Sequence, residues 1–126
     1  MARRRWPKVT YWILTILLSA IFLLAGLTKL LGLEMEVVSF RAWGYPLWFM
    51  YVVGTVETLG AIGLMARRAS PLALVGLSLV MAGAVGTHLA SGQGWVAVVP
   101  AAIFGLLAAR WIIFKTMAAV AQRLKE

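Results

Sequence analysis

Hydrophobic and polar positions do not alternate along this chain. They separate into long blocks. Four apolar runs, at about residues 9–31, 46–65, 71–89 and 95–114, have the length a helix needs to cross a bilayer, roughly 20 residues. Short polar or mixed stretches join them: 32–45, 66–70 and 90–94. The pattern predicts an all-α polytopic membrane protein, a bundle of four transmembrane helices forming one domain over residues 1–126. The first run starts with basic residues, as a signal peptide does. Its apolar stretch exceeds the roughly 7–15 residues of a cleaved signal, and no small-x-small site follows it. It therefore reads as a retained span.

Two flanking segments are amphipathic. Leu33, Val37, Phe40 and Gly44 recur at helical spacing, which predicts a short interfacial helix on the outer face. After Lys115, one stripe holds Met117, Val120, Ala121 and Leu124, with Gln122, Arg123 and Lys125 opposite. The fourth span is expected to run on into a cytoplasmic amphipathic tail.

Composition supports the membrane assignment. Hydrophobic residues make up 63% and charged residues 13% of the chain, whereas soluble domains sit nearer half apolar and about a quarter charged. The net charge of +8 raises the question of nucleic acid. Placement argues against it, because the basic residues gather at the ends of apolar runs: Arg3, Arg4, Arg5 and Lys8, then Arg67 and Arg68, then Lys115, Arg123 and Lys125. By the positive-inside rule both termini and the second loop face the cytoplasm, with anionic lipid headgroups as the counter-charge. Aromatic residues fit the same frame, with Trp6, Trp12 and Trp111 near the inner interface and Trp43, Tyr45, Trp48 and Trp95 near the outer one.

There is no cysteine and one histidine, His88. Thiolate nucleophiles, CxxC chemistry, iron–sulfur ligation and multi-histidine metal or haem sites within one chain are thereby excluded. No metal and no covalently held cofactor is expected.

The informative residue is Glu57, in the middle of the second run within Gly54-Thr55-Val56-Glu57-Thr58-Leu59-Gly60. A charge at the centre of a span costs on the order of 2.5–3.5 kcal/mol, and each Leu, Ile, Phe or Val returns about 0.3–0.6 kcal/mol. Leu47, Phe49, Val52, Val53, Val56, Leu59, Ile62 and Leu64 together roughly cancel it. Glu57 therefore needs a partner, and the small residues Gly54, Gly60 and Ala61 on its face would admit a neighbouring helix. Lys29, near the outer end of the first span, is within reach. Arg41 and His88 also belong to the outer half, and His88 or water would complete a network. Such a pair serves either as structural glue or as a functional pocket. His88 taken alone reads as an interfacial hydrogen-bonding residue. Arg110 reads as a side chain that snorkels to the inner surface. Thr55 and Thr58 are expected to bond to their own helix backbone.

In order and spacing, Phe22-x-x-x-Gly26-x-x-Lys29, then Phe40, Gly44 and Pro46, then Gly54-x-x-Glu57-x-x-Gly60, then His88 resemble the DoxX and DoxX-like family of small four-helix membrane proteins. The resemblance runs from Phe22 to His88. It implies the plasma membrane of a bacterium or archaeon. Some relatives are linked to thiosulfate:quinone oxidoreduction, others to membrane oxidative-stress complexes, and more distant ones to folding or trafficking of membrane cargo.

Three functions follow as expectations. The first is a quinone-linked or redox-associated accessory subunit, a component of a quinone-dependent oxidoreductase if it takes part in turnover. Lys29, Arg41, Gly54, Glu57 and His88 would hold a quinone or other small apolar ligand, and Glu57 or His88 would exchange protons as the catalytic groups. The second is a non-catalytic assembly factor or structural subunit of a larger membrane complex; whatever its role, the chain is expected to associate with other membrane protein subunits or with copies of itself as a homo-oligomer. The third is a small proton-coupled transporter; in multidrug transporters of this size, however, the essential glutamate belongs to the first span and the charge bias is weak.

Overall fold

A computed structural model describes residues 2–126, with side chains described from Pro7 onward. The side chains of Arg3, Arg4, Arg5 and Trp6, read above as orientation and interface signals, lie outside the described residues. The chain forms α1 (Ala2–Leu30), α2 (Glu34–Ala42), α3 (Leu47–Met65), α4 (Ser70–Ala90) and α5 (Val98–Arg123). Four of these, α1, α3, α4 and α5, are long and apolar enough to cross a membrane. The short α2 sits between the first two spans, as the periodicity of residues 33–44 predicts.

The long helices run alternately up and down and close a ring in the order α1, α3, α4, α5. Each packs on its two ring neighbours, and the diagonals α1–α4 and α3–α5 make no close backbone contact among the described residues. Apolar side chains point both ways. Leu18, Phe22, Ala61, Leu64, Leu74, Leu77, Met81 and Leu107 form the core. Leu24, Leu72 and Leu79 remain 68%, 78% and 69% exposed, as befits a surface that meets hydrocarbon.

The tightest contact is between α1 and α3. A Cβ on Gly26 would collide with Thr58 and stand 2.8 Å from the Gly54 carbonyl oxygen, and one on Gly54 would stand 2.8 Å from Lys29 Cβ. Close approach of backbones through small residues is how helices associate where burial from water cannot drive them. Gly60 faces another neighbour, Leu77 of α4. The glycines around Glu57 thus serve two different interfaces. Thr55 and Thr58 bond to the carbonyls of Tyr51 and Gly54, each one turn back in its own helix, as expected.

The ends of α2 are fixed by backbone geometry. Gly32 (φ 64°) and Gly44 (φ 82°) adopt the left-handed conformation that only glycine takes without penalty. At the first, Gly32 N–H donates to Lys29 O (3.0 Å) and Leu33 N–H to Thr28 O (3.2 Å). At the second, Gly44 N–H donates to Arg41 O (3.0 Å) and Tyr45 N–H to Phe40 O (2.9 Å). Each pair is a Schellman closure, which uses the carbonyls a helix end would otherwise leave bare. They fold the chain sharply so that α2 lies across one end of the ring.

The fourth span starts later than hydropathy predicts, at Val98 and not Trp95. The amides of Val96 and Ala97 donate to Gln93 O (3.0 and 3.3 Å), which makes a turn of this stretch and leaves Trp95 83% exposed. Pro100 then falls in the first turn of α5, where its missing N–H is harmless. The helix continues unbroken to Arg123, so the amphipathic tail is an extension of the span itself.

Candidate functional site

Two charged side chains are almost wholly buried, Glu57 at 3% and Arg110 at 1% exposure. They lie towards opposite ends of the ring, and their surroundings differ.

Arg110 does not snorkel. It points from α5 into the bundle, where Nε donates to Thr15 Oγ1 (2.8 Å). Its Nη2, with two protons, faces three acceptors: Tyr11 Oη (2.9 Å), Leu64 O (2.9 Å) and Ser70 Oγ (3.1 Å). The guanidinium carbon also lies 4.7 Å from the centre of the Tyr11 ring, within cation–π range. No carboxylate takes part. Leu64 O belongs to the last turn of α3, where carbonyls lack helical partners and the helix dipole is negative. The α3 terminus thus supplies the anion that the sequence lacks here, and a stretch to the surface would forfeit four bonds. Arg110 ties α1, α3, α4 and α5 together through Nε and Nη2.

At the α2 end, Lys29 in the last turn of α1 meets two carboxylates. Its Nζ lies 3.2 Å from Glu57 Oε2 and 3.7 Å from Glu36 Oε1, and it donates to Ala25 O at 3.4 Å. The Lys29–Glu57 pair expected from the sequence is present. Apart from this ion pair, Oε2 is buried with no hydrogen-bond partner among the described residues. Glu36, on α2, accepts a bond from Thr28 Oγ1 (3.0 Å), a hydroxyl also within bonding distance of Ala25 O (2.8 Å). With all three groups ionised, two carboxylates share one ammonium and the cluster carries a net negative charge.

Lys29, Glu36 and Glu57 line a cavity of about 480 Å³, to which α1, α2, α3, α4 and α5 all contribute. Phe40, Trp43, Tyr45 and Phe49 form one wall, a cluster with ring centroids 5.1–6.4 Å apart. Aliphatic side chains such as Val53, Val56 and Ile103 form much of the rest. His88 lines the same cavity, edge-on to Trp43 at 5.3 Å, with Nδ1 3.0 Å from Gln93 Oε1. Tyr45 Oη and Thr87 Oγ1 bond to each other at 2.7 Å.

Of the site residues expected from the sequence, Lys29, Glu57 and His88 therefore share one cavity, although His88 bonds to Gln93 and not to the ion pair. Arg41 is exposed on α2 and does not line the cavity. Gly54 is buried at the α1–α3 contact and holds Lys29 close to Glu57 without lining the cavity itself. Glu36, Gln93 and the aromatic wall were not anticipated. Glu36 stands one helical turn before Phe40, on the face of α2 already marked as apolar, and that spacing was the available signal.

The fold and this cluster define a class: a small polytopic helical membrane protein with a polar-floored, aromatic-walled cavity at one end. The sequence model of the DoxX-like family matches residues 13–111, and the chain belongs to that family. It is similar to the uncharacterized protein YdgD of Bacillus subtilis (strain 168), with 35% identity over 75 residues, covering 56% of this chain and 66% of the relative. The matched stretch thus spans just under two thirds of that relative's length. No solved structure matches the chain at a significant level.

Proposed function

We propose that this DoxX-like protein binds a small, ring-bearing apolar ligand of the quinone type in the Lys29–Glu57–His88 cavity, as a redox-associated accessory subunit of the plasma membrane. The observation that carries the reading is the pairing of a cavity of about 480 Å³ with a carboxylate buried beside it whose Oε2 lacks a hydrogen-bond partner. The volume falls in the range of small-molecule sites, roughly 300–1,000 Å³, as does the mix of apolar walls and a few convergent polar groups. An intramembrane charge that is not saturated by protein is the usual mark of such a site. Glu57 and His88 are the groups that would exchange protons with the ligand, and Lys29 would hold Glu57 in place.

By the charge bias of the loops, the cavity belongs to the outer half of the bilayer, with both termini cytoplasmic. The test is equilibrium binding of decylubiquinone to the protein in nanodiscs, read against empty nanodiscs. Saturable binding at one site per chain, weakened by Val56→Trp, supports the reading; binding indistinguishable from lipid partition sinks it.

A role as assembly factor or structural subunit is favoured by a separate feature, the exposed end of α5, where Val120 and Leu124 are 47% and 60% exposed beside Arg123 and Lys125. Co-purification with a larger membrane complex, lost on removal of residues 117–126, would support it. A proton-coupled transporter needs uptake into vesicles that Glu57→Gln abolishes.

A further inference from the structure

The seam between α3 and α4 opens as it runs outward. Near the short turn that joins the two helices it is tight: a Cβ on Gly63 would stand 2.9 Å from Ala73 Cβ, and one on Gly60 2.6 Å from Leu77 Cδ2. Farther along, a Cβ on Gly76 would meet Val56 Cγ1 at 3.7 Å, an ordinary contact. Gly83 lies about two helical turns beyond Gly76 and so shares its face of α4. A Cβ there would meet nothing within 4 Å. The two helices diverge between these levels.

The gap belongs to the cavity. Among the described residues, four that line the cavity are exposed. Three of them stand beside the gap, Val52 of α3 and Leu79 and Gly83 of α4; the fourth is Val99 of α5. The frame of the gap lines the cavity too. Val56 and Val80 lie at its closed end, and at its outer end the Tyr45 and Thr87 hydroxyls bond across it at 2.7 Å. The route along the bundle axis is obstructed. There α2 lies across the ring, and Trp43 at its end donates from Nε1 to Gln93 Oε1 at 3.3 Å, which ties α2 to the turn after α4. The cavity is strapped towards water and open towards hydrocarbon.

We infer that the cavity takes its ligand sideways from the bilayer through this α3–α4 window, and that the ligand is an amphiphile: its ring sits beside Glu57 while its apolar chain leaves past Val52, Leu79 and Gly83 into the lipid. This rests on the ligand-binding reading above and adds the entry route and the chain to it. The side chains that flank the window are aliphatic, so an alkyl or isoprenoid chain crossing it exchanges one apolar surface for another and strips no polar group of its partner. A ligand arriving from water would have to part the Trp43–Gln93 strap.

Gly83→Leu puts a side chain into the window without striking a neighbour, so the fold should hold. Gly105→Leu is the control, because that glycine is equally open but does not line the cavity. Two probes with one ring are bound to the protein in nanodiscs and counted against empty nanodiscs: decylubiquinone, and the same quinone with a methyl group in place of the decyl chain. Gly83→Leu should weaken the decyl probe about tenfold or more, the scale of forcing extra methylenes into filled space, and leave the methyl probe unchanged. Gly105→Leu should change neither. On the wild-type protein, a decyl probe with a diazirine on the chain next to the ring should label α3 and α4 around Val52, Leu79 and Gly83. Labels confined to α1 and α5 would put the exit on the Val99 side and overturn the window. So would a decyl probe indifferent to Gly83→Leu, a loss matched by Gly105→Leu, or equal weakening of both probes by Gly83→Leu; the cavity would still stand as a ligand site. If the methyl probe binds too weakly to measure, the decyl probe in the two variants and the labels decide. Absence of saturable decylubiquinone binding to the wild type overturns the ligand-binding reading and the window together.

Discussion

The two ends of the bundle solve the same problem in opposite ways. Each buries a charge that hydrocarbon cannot accommodate. Around Arg110, neutral groups from three other helices meet the guanidinium, and one of them is a helix-terminal carbonyl. Around Glu57, a single ammonium is divided between two carboxylates, one oxygen lacks a hydrogen bond, and a cavity adjoins the cluster. Arg110 joins its own helix to three others, as a charge that is part of the scaffold does. A charge with a bond to spare beside empty space is placed to meet something else. Burial is nearly equal at the two sites, so burial does not distinguish them; the cavity that Glu57 lines and Arg110 does not is what sets them apart.

That contrast can be broken by experiment. The largest effect is expected at the Arg110 end. Arg110→Leu strips partners from Tyr11, Leu64 O and Ser70 at once and should destabilise the fold by about 4 kcal/mol, seen as a lowered thermal midpoint in detergent. A loss under about 1 kcal/mol would show that the four bonds are not structural.

Next comes Gly26→Val. Its side chain would strike Thr58 and the Gly54 backbone, so α1 and α3 must part, at a cost of about 3 kcal/mol. The same separation should pull Lys29 away from Glu57, so a cross-link between residues 29 and 57 introduced as cysteines should form less readily than in the parent.

Lys29→Met should cost about 2 kcal/mol, because it leaves Glu57 buried without its cation while the cavity leaves room for water. Adding Glu57→Gln should recover most of that loss. A double variant no more stable than Lys29→Met alone would mean the two side chains are not energetically coupled.

The smallest stability change belongs to Glu57→Gln alone, under about 1 kcal/mol, since the amide keeps the shape and removes the charge. Ligand binding is where this variant should show its effect. If it instead unfolded the protein as Arg110→Leu is expected to, the proposed division between scaffold and site would collapse.

How legible these ends were in the sequence follows from their chemistry. The spans and α2 are visible because apolar blocks and a 3.6-residue period are local properties. The Lys29–Glu57 pair is visible because opposite charges in adjoining spans have few other partners to find. Arg110 was misread. Five residues from Lys115 and near the end of an apolar run, it has the position of a snorkelling side chain, while its partners Tyr11, Thr15, Leu64 O and Ser70 are uncharged and lie 40 to 99 positions away along the chain. One of them is main chain and carries no sequence signal. Glu36 and Gln93 fall in the short stretches 32–45 and 90–94, where no local property marks either as part of a site. Only the folded turn after α4 reveals that Gln93 lies against both His88 and Trp43.

The order in which the partners occur along the chain has a consequence for biogenesis. Lys29 precedes Glu57, and Tyr11, Thr15, Leu64 and Ser70 all precede Arg110. A chain threaded into the membrane from its N-terminus therefore delivers each costly group only after its partners have been synthesised. Glu57 arrives with the span that packs on α1, and Arg110 arrives last and closes the ring. Swapping Arg110 and Tyr11 would preserve the composition yet strand a guanidinium in the first span, waiting through the synthesis of three more for its final neighbour.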